Sequence, residues 1–238
     1  LLILKNKKKI NKNVQSNARD VRYQLLLNFC KKYKIKFIMT GHHRDDQIET
    51  FLIRLSRGSG IQGLSSMSKI SSLSNTTKLF RPLLDEKKEE LIPLAKFYFG
   101  KIFKDSSNTN QKYLRTKVRN LIKQFEKNGI KRDRIINSIN NLASTRDTLN
   151  LYIQRIEKTC LTKKDNTISI NLKKFFLENN EIQLKIFSNC IKKISKNYYP
   201  PRAKKVLNLL SGIRSNEKLK ATLGGCVINM HKKNLIIS

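Results

Sequence analysis

Apolar positions recur at helical spacing over residues 18–33, where Val21, Leu25, Leu26 and Phe29 share one face. The next segment, Ile35-Lys36-Phe37-Ile38-Met39-Thr40, is short and apolar and predicts a buried strand ended by Gly41. A second amphipathic run begins at once. Its inward positions are Ile48, Phe51, Leu52 and Leu55, and Gly58-Ser59-Gly60 is its stop signal. Residues 64–78 are rich in Ser and Thr and read as a loop. A strand and turn over 79–84 lead into a helix beginning near Glu86, residues 105–110 are polar, and a helix over 113–126 is basic on one side. Helix, short strand, sharp turn and helix in that order describe a parallel-sheet α/β unit.

Beyond Gly129 the pattern changes. Ile135, Ile136, Ile139, Leu142, Leu149, Tyr152, Ile153 and Ile156 trace one face of a long helix. A short strand over 167–170 and a helix around 182–194 follow. Pro201 is placed to open another helix, because its missing N–H has no partner to lose there. Residues 222–238 read as two strands joined by a polar turn at 231–234. The predicted organisation is an α/β domain over residues 1–127 and a mostly helical domain over 128–238, with the boundary between 124 and 131.

The 238 residues suffice for one large domain or two modest ones. Fifty Lys and Arg face 17 Asp and Glu, a formal net charge of +33. Such a charge attracts polyanions at long range and makes binding depend on salt. Lys-rich, Asn-rich composition also arises from AT-rich coding sequence, so charge alone identifies no function. No apolar run reaches the roughly 18–20 residues that span a bilayer. Cys30, Cys160, Cys190 and Cys226 are widely spaced, with no C-x-x-C pair, and fit neither a zinc knuckle nor a disulfide framework. Buried thiols in a reduced cytoplasm are the expectation. The first residue is Leu1 rather than Met, so the native start is expected to lie upstream.

The densest polar cluster is Thr40-Gly-His-His-Arg-Asp-Asp-Gln-Ile-Glu-Thr50, at the C-terminal end of the predicted strand and the start of the next helix. Open α/β sheets bind ligands at that place. On a helix His42, Asp46 and Glu49 are spaced i, i+4, i+7 and share a face. Three readings compete. Helix capping accounts for one of Asp45 and Asp46 and neither histidine. A metal centre would use His and carboxylate ligands, but the rest of the chain adds only His231. A substrate site, in which carboxylates grip an ammonium group and orient an amine nucleophile, accounts for most of the cluster.

The motifs Ala18-Arg19-x-x-Arg22-Tyr23, Thr40-Gly-His-His-x-Asp-Asp-Gln-x-Glu-Thr50, Arg57-Gly-Ser-Gly-x-x-Gly-Leu64 and Met67 resemble the PP-loop ATPase domain of the tRNA(Ile)-lysidine synthase family. The resemblance continues through Arg81-Pro-Leu-Leu84, Asp105-Ser-Ser-Asn108, Tyr113-Leu-Arg-x-x-Val-Arg119, Tyr199-Pro-Pro-Arg202 and Thr222-Leu-x-Gly-Gly-Cys226, in family order over nearly the whole chain. It implies a Rossmann-like PP-loop domain and a ligase that forms a C–N bond. In that family ATP, with Mg2+, adenylates the C2 oxygen of the wobble cytidine of a CAU-anticodon isoleucine tRNA, and the ε-amine of free L-lysine displaces AMP.

The resemblance assigns Asp46 and Glu49 to the incoming lysine and Arg22 to the phosphates or the adenylated intermediate. His42 is placed beside them as an orienting or proton-handling residue. The family's first strand and phosphate loop, Ser-Gly-Gly-x-Asp-Ser, are absent, so the 238 residues alone are expected to be inactive. The implied partner is tRNA, not DNA or a membrane. For RNA contacts Arg57, Arg81, Arg115, Lys117, Arg119 and Arg202 are the candidates, with Tyr198 and Tyr199 as possible stacking residues. The alternatives are a PP-loop tRNA-thiolation enzyme, which the lack of a cysteine pair disfavours, and a non-catalytic basic RNA-binding protein.

Overall fold

A computed structural model of the chain describes residues 3–4, 14–103, 114–195, 201–215, 220–231 and 233–238. The motif residues Asp105–Asn108, Tyr113, Tyr198 and Tyr199 lie outside them. The chain divides into two compact units, residues 1–146 and 147–238.

In the first unit, helix α1 (Val14–Lys32) leads into strand β1 (Phe37–Met39), and α2 (Arg44–Leu55) starts five residues after that strand ends. A single turn, α3 (Ile61–Leu64), precedes the hairpin of β2 (Ile70–Ser72) and β3 (Lys78–Phe80). The sheet order is β1-β3-β2, with β1 parallel to β3 and β2 antiparallel to it. Helices α4 (Lys88–Phe99), α5 (Leu114–Lys127) and α6 (Arg132–Cys160) follow, and α6 runs on into the second unit. The loop expected over 64–78 therefore contains strand β2, too short and too polar to announce itself.

The helical stripes read from the sequence meet in one cluster. Ile48 and Leu52 of α2, Val118 and Ile122 of α5, and Ile136 and Ile139 of α6 are buried together. Burying a side chain of this size stabilises by roughly 1.5–3 kcal/mol, so six of them anchor α2 firmly on α5 and α6. Leu55, expected to point inward, is exposed because α2 ends there and the chain turns away. Strand β1 also departs from expectation. Phe37 and Met39 are 49% and 67% exposed; among the described residues β1 pairs with β3 alone, and only Ile38 turns inward.

In the second unit the scattered short strands assemble into one sheet. β4 (Leu161–Lys164), β5 (Thr167–Asn171), β6 (Lys220–Leu223), β7 (Cys226–His231) and β8 (Asn234–Ile237) pair antiparallel in the order β4-β5-β8-β7-β6. Gly224 and Gly225 form a two-residue turn between β6 and β7 with φ of 63° and 84°, a pair of positive angles that suits glycine. Helices α7 (Leu172–Phe175), α8 (Asn180–Ser195) and α9 (Ala203–Ser215) complete the unit. Ile168, Ile170, Ile228, Leu235 and Ile237 of the sheet are buried with Ile186, Phe187 and Ile191 of α8 and Val206 of α9.

Candidate active site

Strand β1 delivers the polar cluster to its C-terminal tip. Thr40 continues the sheet, donating its N–H to the carbonyl of Phe80 at 3.0 Å, and its hydroxyl lies 2.7 Å from His42 Nδ1. His43, extended at φ −124°, is the N-cap of α2. His42 thus precedes the helix rather than lying on it.

The two aspartates divide the work that capping left open. Asp46 Oδ2 accepts the backbone N–H of His43 at 3.0 Å and sits 3.6 Å from His43 Nε2, so it closes the first turn where the helix dipole favours a negative charge. Asp45 turns to Arg132, which reaches it at 2.9 Å and binds both oxygens of Glu126. Arg44 pairs with Asp133 at 2.8 Å. These ion pairs tie the start of α2 to the end of α5 and the start of α6.

Glu49 is 3% exposed, and its Oε1 accepts the Arg119 Nε–H at 2.5 Å. Its other oxygen, Oε2, is buried and accepts no hydrogen bond among the described residues. A buried acceptor left without a donor costs about 1–3 kcal/mol, so a donor brought to this oxygen would be stabilising.

The surroundings of His42 are basic. Burial pushes its pKa below the ordinary histidine value; nearby Asp46 opposes that, and Arg81, Arg19 and Arg115 reinforce it. Arg19, exposed on α1, lies over the ring of Tyr23; burial, and to a smaller extent the charge of Arg19, lowers the pKa of the Arg54 guanidinium. Arg22, expected to meet the phosphates, is exposed on the same helix and belongs to the same motif as Arg19.

A braced segment backs the site. Gln47 accepts the Met67 N–H and donates to the Met67 carbonyl, both at 2.8 Å, while Ser66 Oγ donates to the Gln47 carbonyl at 2.9 Å. Arg54 donates to the carbonyls of Gly63 and Ser66 at 2.7 and 2.9 Å. Gly58, at φ 67°, ends α2. The Gly-Ser-Gly segment is therefore a helix terminus, and Gly63 and Met67 beyond it are clamped to α2.

The expected RNA-binding residues fall into two groups. Arg57, Arg115, Lys117 and Arg202 are exposed. Arg81 is 7% exposed and donates to the Ser68 carbonyl and to Ser71 Oγ, so it braces the β2–β3 hairpin instead of meeting a phosphate. Arg119 is committed to Glu49. All four cysteines are buried, and burial raises their pKa, to about 11 for Cys160 and about 12 for Cys190, which leaves them poor nucleophiles.

Residues 3–125 match the model of the PP-loop domain. The chain belongs to the PP-loop family. Its relatives include the tRNA(Ile)-lysidine synthases of Wolbachia pipientis wMel, 36% identical over 233 residues (97% of this chain and 54% of the relative), and of Rickettsia felis, 34% identical over 227 residues (94% and 52%). The synthase of Anaplasma marginale is 34% identical over 156 residues, covering 66% of this chain and 33% of that protein. The chain spans about half the length of the first two. The PP-loop match encloses Arg19, Arg22, the whole 40–50 cluster, Arg81, Arg115 and Arg119. No helix among the described residues is long and apolar enough to cross a membrane.

Proposed function

We propose that this PP-loop chain serves tRNA(Ile)-lysidine synthesis, the ATP-dependent conversion of the wobble cytidine of a CAU-anticodon isoleucine tRNA into lysidine. The observation that carries the reading is the buried Glu49 carboxylate, held at one oxygen and without a hydrogen-bond donor at the other among the described residues, one helical turn from Asp46 at the tip of a parallel strand. An amine is the ligand that suits it. A cationic or neutral N–H donor satisfies Oε2, and the neighbouring carboxylate strengthens the attraction.

In the first step the cytidine C2 oxygen attacks the α-phosphate of ATP, forming an O–P bond and releasing pyrophosphate. In the second the lysine ε-amine forms a bond to C2, the C2–O bond breaks and AMP leaves. A lysine ammonium has an ordinary pKa near about 10.4, so it must shed a proton before attack. His42, kept neutral by burial, is the residue suited to take it. Arg19, Arg22 and Arg115 would offset negative charge on the phosphates and on departing AMP. Mg2+ would accompany the ATP phosphates, an arrangement that needs one or two protein carboxylates at most. Among the described residues no group of three or more His, Cys, Asp or Glu is arranged to hold a metal. Arg57, Arg115, Lys117 and Arg202 would meet the tRNA backbone.

The test is substrate dependence in the full gene product. ATP consumption is expected only when both lysine and the CAU-anticodon tRNA are present. Turnover that requires a sulfur donor, or that proceeds without lysine, would contradict the reading.

A further inference from the structure

Arg119 lies on the basic helix α5, yet its Nε–H is directed at the most deeply buried carboxylate of the site. The packing explains how it gets there. Val118 and Ile122 of α5 are buried against Ile48 and Leu52 of α2, so the residue next to Val118 is carried to the flank of α2 where Glu49 emerges. The bond joins residues 70 positions apart, and it occupies Oε1 alone.

That one-sided bond has a specific consequence. A carboxylate anchored at one oxygen loses its freedom to rotate, and a guanidinium alongside lets it remain ionised out of water. The other oxygen becomes a single acceptor with a fixed direction. A free carboxylate would present two equivalent oxygens and several rotamers, which is poor preparation for aiming a nucleophile.

We infer that Arg119 is a positioning residue, holding Glu49 so that Oε2 receives an N–H of the incoming amino-acid amine, and that it does not serve as an RNA contact. The inference rests on the proposed role of Glu49. Arg119 acts on the amine through the Glu49 carboxylate, and the charges of Asp46 and Asp45 nearby add to its hold on this flank of α2.

The test is a double-substitution cycle in the full gene product, with lysine and tRNA varied separately. Arg119→Ala is expected to raise the KM for lysine roughly 10- to 100-fold, the scale of a misplaced reacting group. Its KM for tRNA should stay within about twofold, as for an uncoupled site. Arg119→Lys should recover part of the lysine KM, because an ammonium restores charge but not the directed Nε–H bond. In a Glu49→Gln background, Arg119→Ala should add no further loss. A raised KM for tRNA in both backgrounds, or a lysine effect that multiplies onto Glu49→Gln, would overturn the inference while leaving Glu49 in its role. An unchanged lysine KM in Glu49→Gln alone would remove the role of Glu49 and the inference with it. Should Arg119→Ala fail to fold, Arg119→Lys decides by the same split between the two KM values.

Discussion

His42 shows how a residue's surroundings set its chemistry. Its pKa is lowered first by burial, then by Arg81, Arg19 and Arg115, against the pull of Asp46. The unfolded chain therefore holds a proton at pH values where the folded chain does not. The sign follows: stability is full above the ordinary histidine value of about 6.5 and declines as pH falls toward the folded value. Urea unfolding between about pH 8 and 5 should show that decline, and His42→Gln should flatten it. Parallel curves for the two proteins would contradict the placement of His42. The sequence made this cluster conspicuous, because its histidines and acids stand out in a basic chain. It showed that one of the two aspartates would cap the helix but not which, and it could not show that Asp45 belongs to Arg132 or Glu49 to Arg119. Those two arginines come from α6 and α5 and reach the carboxylates through packing, not spacing.

Among the elements, α2 does most to organise the site. It buries one stripe, caps itself with Asp46 and grips residues 63–67 through Gln47 and Arg54. A methyl group added at Gly63 would stand 2.6 Å from Ser59 Cβ, closer than side-chain atoms approach one another. Gly63→Ala should therefore cost about 1–3 kcal/mol, read as a lowered Tm. Gln47→Ala leaves both Met67 backbone groups without their partner and should cost a similar amount, about 1–3 kcal/mol, with faster amide exchange at Met67. Unchanged exchange there would show that the brace is not needed. Helical stripes were legible because period 3.6 survives in sequence. The apolar run over 35–40 marks strand β1 but not its exposure, because apolar composition does not reveal how many neighbours cover a strand; among the described residues β1 pairs with β3 alone. In the second unit, β4 (Leu-Thr-Lys-Lys) and β6 (Lys-Ala-Thr-Leu) are too polar to signal themselves, and pairing with β5 and β7 makes them strands.

For the molecule as a whole, a net charge of +33 sets the conditions under which any RNA is met. RNA affinity should fall steeply with salt, and Arg57→Ala or Arg115→Ala should each lower the slope of log K against log salt by about 1. Arg81→Ala should leave that slope unchanged and lower stability instead, since its guanidinium braces a hairpin. A slope reduced by Arg81→Ala would return that residue to the RNA surface. At this scale the family was readable from motif order, whereas the five-stranded sheet of the second unit was not. The central claim concerns one step of one reaction, and separating the two half-reactions tests it most directly. In Asp46→Asn and Glu49→Gln, pyrophosphate release in the presence of tRNA should continue, while transfer of radiolabelled lysine to the tRNA collapses. Loss of both half-reactions in equal measure, or undiminished lysine transfer, would show that these carboxylates do not receive the amine.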